Sequence, residues 1–154
     1  MWACYKNRLE IVEFLVRKGA EPNIRDNGGR TALMWASAYA SGAVVDSLFE
    51  ANSDVDLRDS NGRTSLMYAC AREGPRVVEH ILAGKPDLEV ADNTGRTALM
   101  WAAEKSRPGV VKLLLDAGAK ASAMDHNGKS ALDRVLERGW SDIADVIMLR
   151  SFEK

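Results

Sequence analysis

A period of 33 residues runs through the chain and constrains its fold more than any other feature. Asp26, Asp59, Asp92 and Asp125 keep that spacing, as do Gly29, Gly62, Gly95 and Gly128. Thr31, Thr64, Thr97 and Ser130 hold the same phase, followed by Leu33, Leu66, Leu99 and Leu132. Three segments read almost alike: Arg30-Thr-Ala-Leu-Met-Trp-Ala36, Arg63-Thr-Ser-Leu-Met-Tyr-Ala69 and Arg96-Thr-Ala-Leu-Met-Trp-Ala102. The phase never slips. Self-similarity of this kind marks a stack of small units, none able to bury its apolar face alone.

Each unit reads as two short helices. The first begins at the Thr or Ser, whose hydroxyl can cap a free amide of the first turn. The Gly before it suits a turn where a side chain would clash. The second helix carries apolar pairs at i, i+1, i+4 and i+5. They are Ile11, Val12, Leu15 and Val16, then Val44, Val45, Leu48 and Phe49. They recur as Val77, Val78, Ile81 and Leu82, and as Val110, Val111, Leu114 and Leu115. The last set is Ile143, Ala144, Val146 and Ile147. This spacing lays one apolar stripe along each helix. Pro75 and Pro108 stand where the second helices start, and Gly19 and Gly118 where they stop. Alternating apolar residues in the linkers, Val55 with Leu57 and Leu88 with Val90, predict extended hairpin arms.

These residues resemble the ankyrin repeat family, whose pattern is Asp-x-x-Gly-x-Thr-Pro-Leu-His-x-Ala-Ala followed by a Val- and Leu-rich helix and Gly-Ala-Asp-x-Asn. The strongest matches are Asp92-Asn-Thr-Gly-Arg-Thr-Ala-Leu-Met-Trp-Ala-Ala103 and Val110-Val-Lys-Leu-Leu-Leu-Asp-Ala-Gly-Ala119. Ala or Ser replaces the Pro, Met replaces the His (Asp133 in the last copy), and one unit ends in Lys85-Pro86. The resemblance covers essentially the whole chain. It implies an all-α solenoid of helix-turn-helix units with hairpin arms, forming a single domain over residues 1–154. The expected divisions are a partial unit at about 1–25, full units at 26–58, 59–91 and 92–124, and a C-terminal cap at 125–154.

The two ends differ. Met1-Trp2-Ala3-Cys4 aligns with Met34-Trp-Ala-Ser37, so the chain begins inside a first helix without the turn that normally precedes it. This reads as a fragment of a longer protein, with a degenerate first unit as the alternative. At the other end Asp133 and Arg134 replace Met and Trp, and Glu137, Arg138, Ser141, Asp142 and Asp145 add polarity. That is what a capping unit needs. Phe152 is expected to fold back onto the final helix.

Composition narrows the function. Lys plus Arg number 21 and Asp plus Glu 22, a formal net charge of −1, which excludes nucleic-acid binding by bulk charge. No apolar run approaches the roughly 18 residues of a membrane span. Two cysteines make no disulfide framework, and no signal peptide is visible, so an intracellular protein is expected. Cys4 and Cys70 share one repeat position two units apart, about 20 Å in a helix stack, too far for a disulfide or a shared metal. His80 and His126 occupy unrelated positions, and no nucleophile triad can be assembled around them. Gly128-Lys129-Ser130 imitates a phosphate loop, but Ala123 stands where its first Gly is required. No enzyme, cofactor or metal is expected.

Three rows are candidates for binding. Trp2, Trp35, Tyr68 and Trp101 recur on successive first helices, either as partner anchors or, the favoured reading, as packing between units. Arg30, Arg63, Arg96 and Lys129 each follow a hairpin Asp by four residues; such a ladder could grip an acidic peptide, but the favoured reading is that each pairs with that Asp or with the next repeat's. The third set is carried over from the family, whose partners contact hairpin tips and first-helix ends. The tip residues here are Asn27, Ser60, Asn61, Asn93, Thr94, His126 and Asn127. The helix-end residues are Tyr5, Lys6, Tyr39, Arg72, Glu104, Lys105 and Arg138. These positions vary between copies while the framework does not. The resemblance implies a monomeric, non-enzymatic scaffold that binds a protein. The alternatives are a regulatory or targeting segment of a larger protein and a secreted ankyrin-type effector.

Overall fold

The computed structural model describes residues 1–72 and 75–152, without the side chains of Ser151 and Phe152. The expected fold-back of Phe152 therefore lies outside the described residues. Ten helices and no strand occur among the described residues. They come as five pairs: α1 (Trp2–Tyr5) with α2 (Leu9–Arg17), α3 (Ala32–Tyr39) with α4 (Gly42–Glu50), and α5 (Ser65–Cys70) with α6 (Arg76–Ala83). The series ends with α7 (Ala98–Glu104) and α8 (Pro108–Asp116), then α9 (Ala131–Leu136) and α10 (Ser141–Phe152). The first helices pack in series, α1 on α3, α3 on α5, α5 on α7 and α7 on α9. The second helices form the other layer, with α2, α4 and α6 in contact and α8 against α10. The result is an all-α solenoid, as the period demands.

The core lies between the layers. Leu33, Leu66 and Leu99 are almost wholly buried, and so are Met34, Met67 and Met100 beside them. Those methionines stand where the ankyrin pattern has His. Each buried side chain of this kind contributes about 1.5–3 kcal/mol, and an unbranched thioether fills irregular gaps well. The apolar stripes of α4, α6, α8 and α10 complete the core through Val45, Val78, Val111 and Ala144. In α2 only Val12 is buried; Ile11, Phe14 and Leu15 are exposed, with no helix among the described residues covering their face. At the other end Asp142 and Asp145 are exposed, as a polar cap would be, but so is Leu149.

Hairpins join the pairs. In every hairpin the Asp Oδ1 accepts from the amides two and four residues on, at 2.8–3.1 Å. Successive tips are linked by one backbone bond each: Ser60 to Gly28, Asn93 to Asn61 and His126 to Thr94. The arms are thus turns in register rather than the extended segments that the Val55/Leu57 alternation predicts. Gly62 shows why the hairpin needs glycine. Its φ is +77°, and a Cβ there would lie 2.7 Å from the amide nitrogen of Asn93 in the next tip.

The caps divide. Thr31 and Thr64 accept from Met34 and Met67, and Ser130 forms a full capping box with Asp133. Thr97 departs from expectation: its hydroxyl makes no cap bond and is buried without a partner. Pro75 caps α6 and Pro108 opens α8. Gly19 and Gly118 follow α2 and α8 with φ of +78° and +103°.

Candidate functional site

The aromatic row lies on the face formed by the first helices, and it is tied to the hairpins. Trp35 Nε1 donates to Asp26 Oδ2 at 3.0 Å, the Tyr68 hydroxyl to Asp59 Oδ2 at 2.7 Å, and Trp101 Nε1 to Asp92 Oδ2 at 3.0 Å. In the last pair Arg134 stands at the aromatic position and bonds Asp125 instead. These rings are half-buried, so the row serves packing and presents an edge to solvent at once. Trp2, at the same position of α1, makes no such bond among the described residues and is 65% exposed.

This arrangement sets the charge state of the hairpins. Burial alone would raise the Asp92 pKa, but hydrogen bonds from Thr94 and Arg96 outweigh it and bring the carboxyl down to about 2. Asp26 and Asp125 are lowered against the same opposing effect of burial. Tyr68 moves the other way: burial, then its bond to Asp59, push the phenol up to about 12.

The basic row follows the expected pairing in two of four places. Arg30 reaches Asp26 at 3.1 Å and Arg96 reaches Asp92 at 3.0 Å. Lys129 pairs with Glu137 instead, at 2.7 Å, because Arg134 occupies Asp125. Arg63 forms no ion pair among the described residues. Its carboxylate neighbour Asp59 is taken by Tyr68 and by backbone amides, and its guanidinium lies over Trp101, 4.8 Å from the ring centre. Its Nε is buried without an acceptor.

The first-helix ends separate into structural and free groups. Arg72 donates to the carbonyls of Ser37 and Ala40, capping α3 from the next pair. Arg138 donates to the Glu104 carbonyl at 2.7 Å and caps α7 in the same way. Glu104 also gathers Arg96, Arg134 and Arg138 at 3.1, 3.6 and 3.5 Å. Lys105 is exposed and forms no ion pair among the described residues. Lys6 stands over the Tyr5 ring at 4.6 Å.

Tyr5, Trp35 and Tyr39 form one cluster. Tyr5 meets both other rings edge-on, at 5.6 and 4.9 Å between centres, and Trp35 stacks on Tyr39 at 5.7 Å. With Trp2 and Asp26 they line an open groove of about 470 Å³. Tyr5 and Tyr39 keep 41% and 53% of their surface exposed.

The tip residues also divide. The Asn93 side chain donates to the Ser60 carbonyl at 3.0 Å and accepts from Arg58, and the Thr94 hydroxyl donates to Asp92 at 2.6 Å. These two hold the hairpins in register. Asn27, Ser60, Asn61, His126 and Asn127 are exposed along the edge. Arg25 and Arg58, not singled out in the sequence, join this edge: Arg25 donates to the Arg58 carbonyl and Arg58 to the Gly62 carbonyl. Their spacing of 33 residues was the available signal.

Cys4 and Cys70 are buried free thiols, and burial pushes both pKa values up. No group of three or more His, Cys, Asp or Glu among the described residues is placed to hold a metal ion. No helix among them is long and apolar enough to cross a membrane.

A family model described as Ankyrin repeats (3 copies) matches residues 1–85, 38–125 and 70–152. The chain belongs to the ankyrin-repeat family. Among curated proteins none matches it significantly.

Proposed function

We propose that the chain is a non-enzymatic recognition module that binds a protein partner on the first-helix face and the hairpin tips, built from four full repeats preceded by part of a fifth. One observation carries this reading. Side chains repeated between copies, such as the Asp, Leu and Met rows, are consumed by hairpin bonds or buried in the core. Several that vary, such as Tyr39, Asn61, Lys105 and Asn127, stand exposed on one face and edge. A bonded scaffold presents these groups in fixed positions, so little ordering entropy is lost on binding. A standard interface buries about 800 Å² per side, which three or so units supply.

The test is affinity capture from a lysate of the source organism. One variant carries alanine at Tyr39, Asn61, Lys105 and Asn127. A second carries alanine at Glu10, Glu79 and Lys112, on the second helices. Circular dichroism confirms that both fold. A protein retained by the parent and the second variant but lost with the first supports the reading. Loss only with the second variant, or retention by both, refutes it.

A further inference from the structure

Resting on that reading, we infer that the partner offers a short extended segment with two anchors: a bulky apolar side chain in the Tyr5–Trp35–Tyr39 groove, and an acidic residue about five or six positions away that pairs with Arg63.

Two independent observations place these anchors. The first is the aromatic groove. Three rings in mutual contact leave large apolar surfaces facing solvent in a space of about 470 Å³. Aromatic groups of this kind supply contact area at low entropic cost and dominate binding energetics. The second is Arg63. Along the basic row, Arg30, Arg96 and Lys129 each have a carboxylate partner, and Arg63 alone has none among the described residues. Its Nε is buried with no acceptor. A guanidinium that meets only the Tyr68 hydroxyl and the Trp101 ring gains most from an anion brought by a partner, because charge-assisted and bidentate bonds are the strong ones.

Charge decides which occupant fits. A cationic ligand would suit an empty aromatic cage. Here the cation positions are already taken: Lys6 stands over Tyr5, and Arg30 over Trp35 at 4.1 Å. Asp26, the carboxylate of the groove, is neutralised by Arg30. The groove therefore keeps one cation, Lys6, on its rim above an apolar floor, which matches an apolar side chain flanked by negative charge. The glutamate of the next pair, Glu104, is held among three arginines and does not compensate Arg63.

Geometry sets the spacing. Successive helices pack about 8–10 Å apart. Trp35 and Tyr68 are one such step apart, and Arg63 leans from Tyr68's helix pair toward Trp101 in the next. The groove lies half a step before Trp35 and the Arg63 guanidinium half a step beyond Tyr68, about two steps or 16–20 Å in all, and an extended chain rises about 3.3 Å per residue, so the anchors fall about five or six residues apart.

The test is selection of random peptides of about a dozen residues, displayed on phage, against the full chain. The expected consensus is a bulky apolar residue with Asp or Glu about five or six positions away. By fluorescence anisotropy, a selected peptide should bind at least about tenfold more weakly to Tyr39→Ala and to Arg63→Gln. Arg63→Lys should recover part of the loss, and Lys112→Ala on α8 should change nothing. Replacing the peptide's acid by its amide should weaken binding to the parent but have little further effect on Arg63→Gln. Thermal melts establish that each variant folds. No enriched peptide, a basic or charge-free consensus, or indifference to Arg63→Gln overturns the inference. The inference then falls alone if lysate capture still depends on the first-helix face, and together with the wider reading if it does not.

Discussion

Trp101 donates its indole N–H to Asp92 Oδ2 at 3.0 Å, across nine residues of chain, and so ties the first-helix face to the hairpin that precedes it. The same carboxylate accepts from Thr94 and Arg96. Asp92 is 4% exposed, so its charge depends entirely on these donors. Asp92→Asn keeps the shape but removes the charge, and it sets an amide NH2, a donor, against the donors that the carboxylate accepts from. The expected cost is about 3 kcal/mol, read from urea denaturation at neutral pH.

The same residue gives a pH dependence with a defined sign. Its carboxyl titrates near 2 in the folded chain, against an ordinary value of 3.8. A lowered folded pKa contributes stability above the unfolded value, and that contribution is lost as pH falls toward the folded one. Stability should therefore decline between about pH 4 and pH 2. The Asp92→Asn variant should decline less over that window, and equal slopes for the two proteins would refute the assignment.

Tyr68 supplies the opposite case. Burial and the bond to Asp59 raise its phenol to about 12 in the folded chain. The unfolded value is near 10. A raised folded pKa gives stability that is fully present below the unfolded value and fades as pH rises through the folded one. Tyr68→Phe should cost about 1–2 kcal/mol at neutral pH. The gap between parent and variant should narrow as pH rises from about 10 toward 12. Denaturation curves at pH 7, 9 and 11 check both statements.

The two layers and their core were legible in the sequence because burial follows the repeat phase. Leu33, Leu66 and Leu99, with the methionines beside them, could be placed by period alone. The bonds between separate parts of the chain were not legible. Arg72 and Arg138 looked like free first-helix ends, yet each caps a helix one pair earlier, which only the stacking distance reveals. Arg63 looked identical to Arg30 and Arg96. It differs because a Tyr hydroxyl occupies its Asp, and its guanidinium reaches the next Trp. The Tyr5–Trp35–Tyr39 cluster joins three repeat positions from two units, so no single row contained it.

Glycines offer a paired test of hairpin against helix. Gly62 has φ +77°, and a Cβ would press on the backbone of the next tip. Gly62→Ala should cost about 1–3 kcal/mol through backbone strain and loss of the tip-to-tip bond. Gly109, in the first turn of α8, has open space around its Cα. Gly109→Ala should be neutral to stabilising, by up to about 1 kcal/mol, since alanine restricts the unfolded chain. Melting temperatures that move in the same direction for both would contradict this account.

Glu104 decides whether the charged end of the first-helix face is a working network or a set of chance contacts. Its carboxylate lies 3.1 Å from Arg96, 3.6 Å from Arg134 and 3.5 Å from Arg138, and its own carbonyl accepts from Arg138. These groups come from two successive helix pairs but meet at one point, with Arg96, Arg134 and Glu104 each no more than 20% exposed. Three guanidiniums without their carboxylate would repel one another. Glu104→Gln retains volume and the carbonyl bond, so any loss reports the charge alone. The expected cost is about 1 kcal/mol at low salt, shrinking as salt is added because the contacts are only partly buried. A loss that does not change with salt would mean that packing, not charge, holds α7 against α9. No loss at all would mean that the three arginines are held by Asp92, Asp125 and the Glu104 carbonyl without the carboxylate's help.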